Sequence, residues 1–195
     1  TGTTSLGGDV TTTGVQSYGD AVTLTGATTL TSTGNQAITF SGTVNGAQTL
    51  AVNTTGATTF SGAVGGVTPL AGLTTNAGGT TAINGGAVTT TGAQSYNDGT
   101  TLGGATTLRT TAGGSISAPG AVTATAGTLT LDTGSGAATF DNPANNFGTV
   151  AITSGGAVSL VDANALSLAG ASVDSLQAQT LSGNLTVSGA ITAAG

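Results

Sequence analysis

No cysteine, methionine, tryptophan, histidine, lysine or glutamate occurs in this chain of 195 residues. Without His, Cys or Lys, no ordinary catalytic triad, thiol nucleophile or Schiff base can be assembled, so the chain is expected not to be an enzyme. Charge is nearly missing too: 4 % of residues are charged, against about 25 % in an ordinary globular domain. The charged residues are seven aspartates and one cation, Arg109. A net charge of −6 with a single cation leaves no basic patch, which speaks against nucleic acid and against an anionic membrane as partners. There is no apolar run of membrane-spanning length and no charged start followed by an apolar stretch, so neither membrane insertion nor a signal peptide is expected. The absence of cysteine suits a chain exported unfolded, which early cross-links would hinder. The chain begins at Thr1 rather than Met and reads as a segment of something longer.

Thr, Ser, Val and Gly are abundant, with 35 glycines. Thr and Val restrict χ1 and fit a pleated surface, while Gly supplies turns, so strands are expected and helix is not. Disorder pairs low hydropathy with high net charge, whereas this chain is 37 % hydrophobic with mean hydropathy +0.29. Much of that share is alanine, and the large apolar side chains stand singly or in pairs. Such a supply cannot fill a wide two-layer core, but it can fill a narrow one running along a rod.

The segment from Val10 to Leu30, VTTTGVQSYGDAVTLTGATTL, recurs from Val88 to Leu108 as VTTTGAQSYNDGTTLGGATTL, with 16 of 21 positions identical and no gap in the alignment. Tyr18 aligns with Tyr96, Asp20 with Asp98, and Gly7-Gly8 with Gly85-Gly86. A shorter unit, Gly-Ala-Thr-Thr-Leu/Phe, occurs at Gly26–Leu30, Gly56–Phe60 and Gly104–Leu108, with a relative at Gly136–Phe140. Between these units lie alternations with the strand period of two, such as Val22/Leu24, Ile38/Phe40, Leu129/Leu131, Val158/Leu160 and Leu185/Val187. Turn signals separate them roughly every 8–12 residues.

A β-sandwich needs longer strands and enough large side chains to fill a core about 10 Å thick. A solenoid needs only a few inward residues per coil, stacked at about 4.8 Å. The expectation is an all-β parallel β-helix, a single β-solenoid segment over 1–195 with nine or ten coils of roughly 20 residues. The duplication is expected to span about four whole coils, with Tyr18 and Tyr96 on equivalent faces. Leu24, Leu102, Ile152, Leu168 and Val187 are expected to point inward.

Asn145-Asn146-Phe147-Gly148, Val150-Ala151-Ile152, Gly155–Leu160, Asp162–Leu168 and Ser182–Val187 resemble the repeat rods of filamentous-haemagglutinin-like adhesins, the large exoproteins of two-partner secretion. The Gly-Ala-Thr-Thr-Leu units resemble them less specifically, and autotransporter passengers carry similar repeats. The resemblance implies a right-handed parallel β-helix, export through an outer-membrane pore, and a role in adhesion or biofilm cohesion at the bacterial cell surface. The family's N-terminal secretion domain has no counterpart in this sequence.

No catalytic, cofactor-binding or metal site is expected. Paired carboxylates are the one conceivable catalytic device, but Asp9, Asp20, Asp98, Asp132, Asp141, Asp162 and Asp174 are scattered and read as turn residues accepting backbone N–H groups. Asp162 and Asn164 could offer two oxygens, fewer than a hard cation needs. Asn84-Gly85-Gly86 lacks the lysine of a phosphate cradle and reads as a turn. Asn53-Thr54-Thr55 and Asn184-Leu185-Thr186 match the glycosylation sequon, which chance accounts for in a chain so rich in Thr. Tyr18, Tyr96, Phe40, Phe60, Phe140 and Phe147 could stack on carbohydrate, but read better as core plugs. Arg109 replaces the Thr31 of the first copy and reads as a solvated substitution.

The function expected from these features is a non-catalytic adhesive rod outside the cell, with copies of itself, or surface glycans and proteins, as partners. Two alternatives are an ice-binding solenoid and a subunit of a self-assembling filament. The first would use the pairs Thr11/Thr13, Thr23/Thr25, Thr31/Thr33, Thr89/Thr91, Thr123/Thr125 and Thr128/Thr130, whose spacing is too irregular to collect on one face. The second would use open ends near Thr3–Val10 and Leu185–Ala194.

Overall fold

The computed structural model describes residues 2–193, which form strands and turns and no helix. The strand pairings are parallel and build a β-solenoid with three strand positions in each coil. The first ladder runs Thr4, Val22, Val44, Val64, Val88, Leu108, Leu131, Ile152, Ala171, Ile191. Its ten rungs are unevenly spaced along the chain, closest between Thr4 and Val22 and widest between Val64 and Val88. The stack is about 43 Å long at about 4.8 Å per rung. The second ladder includes Thr28, Leu50, Leu73, Gln94, Ile116, Ala138, Val158 and Leu176. The third includes Tyr18, Phe40, Phe60, Ile83 and Leu102.

The period-two pattern sends alternate side chains inward. Leu30, Ile38, Phe40, Val44, Leu129, Leu131 and Leu160 are completely buried, each stacked on the equivalent residue of the next coil. Leu24, Leu102, Ile152 and Leu168 lie inside as expected, at most 3 % exposed. Val187 does not: it pairs with Leu168 but is 52 % exposed, because no further coil covers it. Coils differ in length because their corners do. Gly65 shows how tightly a corner is made: its φ is +68°, and a Cβ there would stand 2.0 Å from Thr89 O.

The duplication does not span whole coils. Tyr18 lies on the third ladder, over Phe40, whereas Tyr96 lies on the second, over Thr75, in the column Val10, Leu30, Val52, Thr75, Tyr96. Eleven strand positions separate the two copies of Gln-Ser-Tyr, counting the isolated bridge at Val64. At three positions per coil, the copies stand three and two-thirds coils apart. The second copy is therefore turned by one face relative to the first.

Candidate functional site

The aromatic rings are core. Tyr18, Phe40 and Phe60 stack face to face with centroids 5.1 and 5.0 Å apart, and Phe140 meets Phe147 edge-on at 6.0 Å. Tyr96 and all four phenylalanines are buried and Tyr18 is half-buried, so no platform of rings faces outward for a sugar to stack on.

Two glutamines that sequence reasoning passed over organise the corners. Gln94 Nε2 donates to Val88 O, Thr90 Oγ1 and Arg109 O at 3.3, 3.3 and 2.7 Å, and Gln94 Oε1 accepts from the Tyr96 hydroxyl at 2.8 Å. Gln16 makes the same set in the first copy, to Val10 O, Thr12 Oγ1 and Thr31 O, and accepts from the Tyr18 hydroxyl at 2.9 Å. Each partner in one copy is the aligned counterpart of a partner in the other, so the cassette keeps its local bonding on either face. Burial pushes both phenols above their ordinary range. The signal was there to read: Gln-Ser-Tyr is unchanged between the copies.

The aspartates divide by corner. Asp9 accepts from Thr29 N at 2.8 Å and Asp20 from Gly2 N at 3.2 Å, each bond joining neighbouring coils rather than closing a local turn. Asp162 is fully buried and accepts from Phe147 N and Asn164 N, both at 2.6 Å, so both its oxygens serve the backbone. Asp132 accepts from Ser154 Oγ and pairs with Arg109 at 3.1 Å, so the arginine, though 53 % exposed, has a partner. Asp141 accepts from Ser159 Oγ. Asp98 differs from all of these: it is 3 % exposed, its Oδ1 accepts from two threonine hydroxyls, and its Oδ2 is unpartnered. No group of three or more potential metal-ligating side chains occurs among the described residues.

The outer faces carry hydroxyl columns. Ser17, Thr39, Thr59, Ala82, Thr101, Thr123 and Asn146 form one on the third ladder. Thr74, Ser95, Ser117, Thr139 and Ser159 form another on the second. The Thr-x-Thr pairs scatter, Thr23 and Thr89 on the first ladder, Thr31 on the second and Thr123 on the third. An open groove of about 390 Å³ lies beside the second column, with Pro119 and Pro143 as its apolar walls and Ser117, Thr139 and Asp141 as its polar ones. Asn142 also lines it, but its side chain is occupied by Pro119 O and Ala144 N.

The two ends differ. At the N-terminal end Gln16 bonds Val10 O and Thr12 Oγ1 within the first coil, Leu6 is 8 % exposed, and Val15 is the one large apolar side chain left open among the described residues there, at 64 %. At the other end Leu181, Leu185, Val187 and Ile191 are 52, 41, 52 and 42 % exposed. Of the segment expected at this end, Ala194 lies outside the described residues.

No protein-family model, no characterised protein and no solved structure matches the chain. The resemblance to adhesin rods therefore rests on the repeat pattern and on a parallel β-solenoid of about ten turns with roughly 20-residue spacing.

Proposed function

We propose that the chain is a non-catalytic structural segment of a secreted, surface-exposed adhesive rod, extended at its apolar end by further coils or by another copy. The observation that carries this reading is the row Leu181, Leu185, Val187 and Ile191, exposed at one end of an otherwise continuous core. Coils in a solenoid are stabilised by their neighbours alone, and an uncovered terminal coil leaves both apolar surface and strand edges unpaired. Length and stiffness come from the ladders, and contact with glycans or proteins of a neighbouring surface falls to the hydroxyl columns and the Pro119–Pro143 groove. Sedimentation of the chain over a concentration series, with electron microscopy, tests the axial part. Association into rods longer than one chain, abolished by V187K and I191K together, is expected; a strictly monomeric species at all concentrations overturns end-to-end assembly.

A second reading, binding to an ordered water lattice, draws on the column of Thr39, Thr59, Thr101 and Thr123. Alanine at position 82 interrupts it. Thermal hysteresis of the purified chain separates this reading from the rod.

A further inference from the structure

At the bends from the second ladder into the third stand Ser32, Thr54, Asn76 and Asp98. The first three are neutral and serve the backbone. Ser32 Oγ accepts from Gln36 N at 3.0 Å, Thr54 Oγ1 donates to Gln36 O at 2.7 Å, and Asn76 Oδ1 accepts from Thr54 N at 2.8 Å. Asp98 alone of these four can ionise; Asp162, at the end of a later second-ladder strand, is buried too, but both its oxygens accept backbone N–H groups. The duplicate of Asp98, Asp20, stands at the bend from the third ladder into the first, exposed and bonded to Gly2 N. The one-face rotation of the repeat is what moves this residue from a solvated corner into a buried one.

The surroundings of Asp98 are made for a neutral group. Thr81 Oγ1 at 2.8 Å and Thr75 Oγ1 at 3.1 Å, both from the preceding coil, donate to Oδ1. Oδ2 is buried without a partner. From the following coil comes Gly120, packed so closely that a Cβ there would stand 2.0 Å from Asp98 O. The strands packed around this corner are Gly72–Thr75, Thr80–Ile83, Gln94–Tyr96, Gly99–Leu102 and Val122–Asp132. Their titratable groups are Tyr96, whose hydroxyl is given to Gln94, and Asp132, which is held by Arg109 and Ser154 at the far end of its strand. Among the described residues no cation faces Asp98. An ionised carboxylate so placed has lost its water without gaining a counter-charge.

We propose that Asp98 is a proton-dependent joint between the fourth and fifth coils: the neutral carboxyl clamps Thr75 and Thr81, and ionisation loosens the stack at that point. Burial raises the group's pKa, with the two threonine hydrogen bonds and its own backbone opposing. For a carboxyl raised on folding, the stability it confers is complete below the unfolded value, about 3.9, and is lost as pH rises through the folded value. The rod therefore tightens in acid and loosens at this corner as pH rises through the folded value.

The test compares the full chain with Asp98→Asn, which keeps the shape and cannot ionise, in urea unfolding from pH 3 to 8, together with carboxyl-carbon NMR of Asp98 in the unmodified chain. The expected result is a stability difference that grows with pH in favour of D98N, with the Asp98 resonance titrating above the usual aspartate range. Amide exchange at Thr75–Thr81, corrected for its intrinsic pH dependence, is expected to quicken over the same interval. A difference that stays flat, or that favours the unmodified chain as pH rises, overturns the proposal. Should D98N not fold, an Asp98 resonance titrating at or below the usual range overturns it alone.

Discussion

The Tyr96 hydroxyl donates to Gln94 Oε1 across 2.8 Å inside the core, while Gln94 Nε2 reaches Arg109 O at 2.7 Å on the next coil. One side chain thereby satisfies a buried phenol and ties two coils together. Gln94→Leu removes that partner from Tyr96 and from three acceptors at once. A loss of about 2–4 kcal/mol is expected, read by urea unfolding. Gln16→Leu, in the terminal coil beside a half-exposed Tyr18, is expected to cost less than half as much.

Phe60 closes the stack that begins with Tyr18 and Phe40 and has no accessible surface. Phe60→Ala leaves a cavity between coils, and a cost of about 3–5 kcal/mol follows from the lost transfer energy and the void. Since each coil touches only its neighbours, hydrogen exchange is expected to quicken around Ile38–Phe40 and Thr80–Ile83 and little elsewhere.

Glycines are not equivalent along the rod. At Gly65 the backbone is left-handed and a Cβ would meet Thr89 O at 2.0 Å, while at Gly14 nothing lies within 4 Å. Gly65→Ala is expected to lower stability by more than about 2 kcal/mol, through both backbone strain and collision with the next coil. Gly14→Ala is expected to change it by less than about 1 kcal/mol. Parallel thermal melts of the two variants read the contrast.

Arg109 and Asp132 make a surface pair at 3.1 Å, the arginine more than half exposed. Solvent and salt screen such a pair, so Arg109→Gln is expected to cost less than about 1 kcal/mol, and less still in about 1 M salt. A loss well above that figure would mean that the pair holds the two coils in register.

Strand content, parallel stacking and the inward side of each strand were legible residue by residue, because Leu129-Thr130-Leu131 or Ile38-Thr39-Phe40 can bury only one of its two faces. The core role of the six aromatic residues was legible for the same local reason. That Asp9, Asp20 and Asp162 would accept backbone N–H groups was legible from residue type, but that most of those groups come from a neighbouring coil was not. Which face each copy of the duplication occupies was not. The three corners of a coil use the same Thr, Gly and Asn residues, and the short coil from Thr4 to Val22 closes as well as the long one from Val64 to Val88. Nothing near Tyr18 or Tyr96 in the chain counts the corners between them. Only the stacked coils do that, by setting Tyr18 over Phe40 and Tyr96 over Thr75. The same stacking sends Asp20 to solvent and Asp98 under Gly120, so two aspartates at one position of a repeat acquire different chemistry from the coils around them.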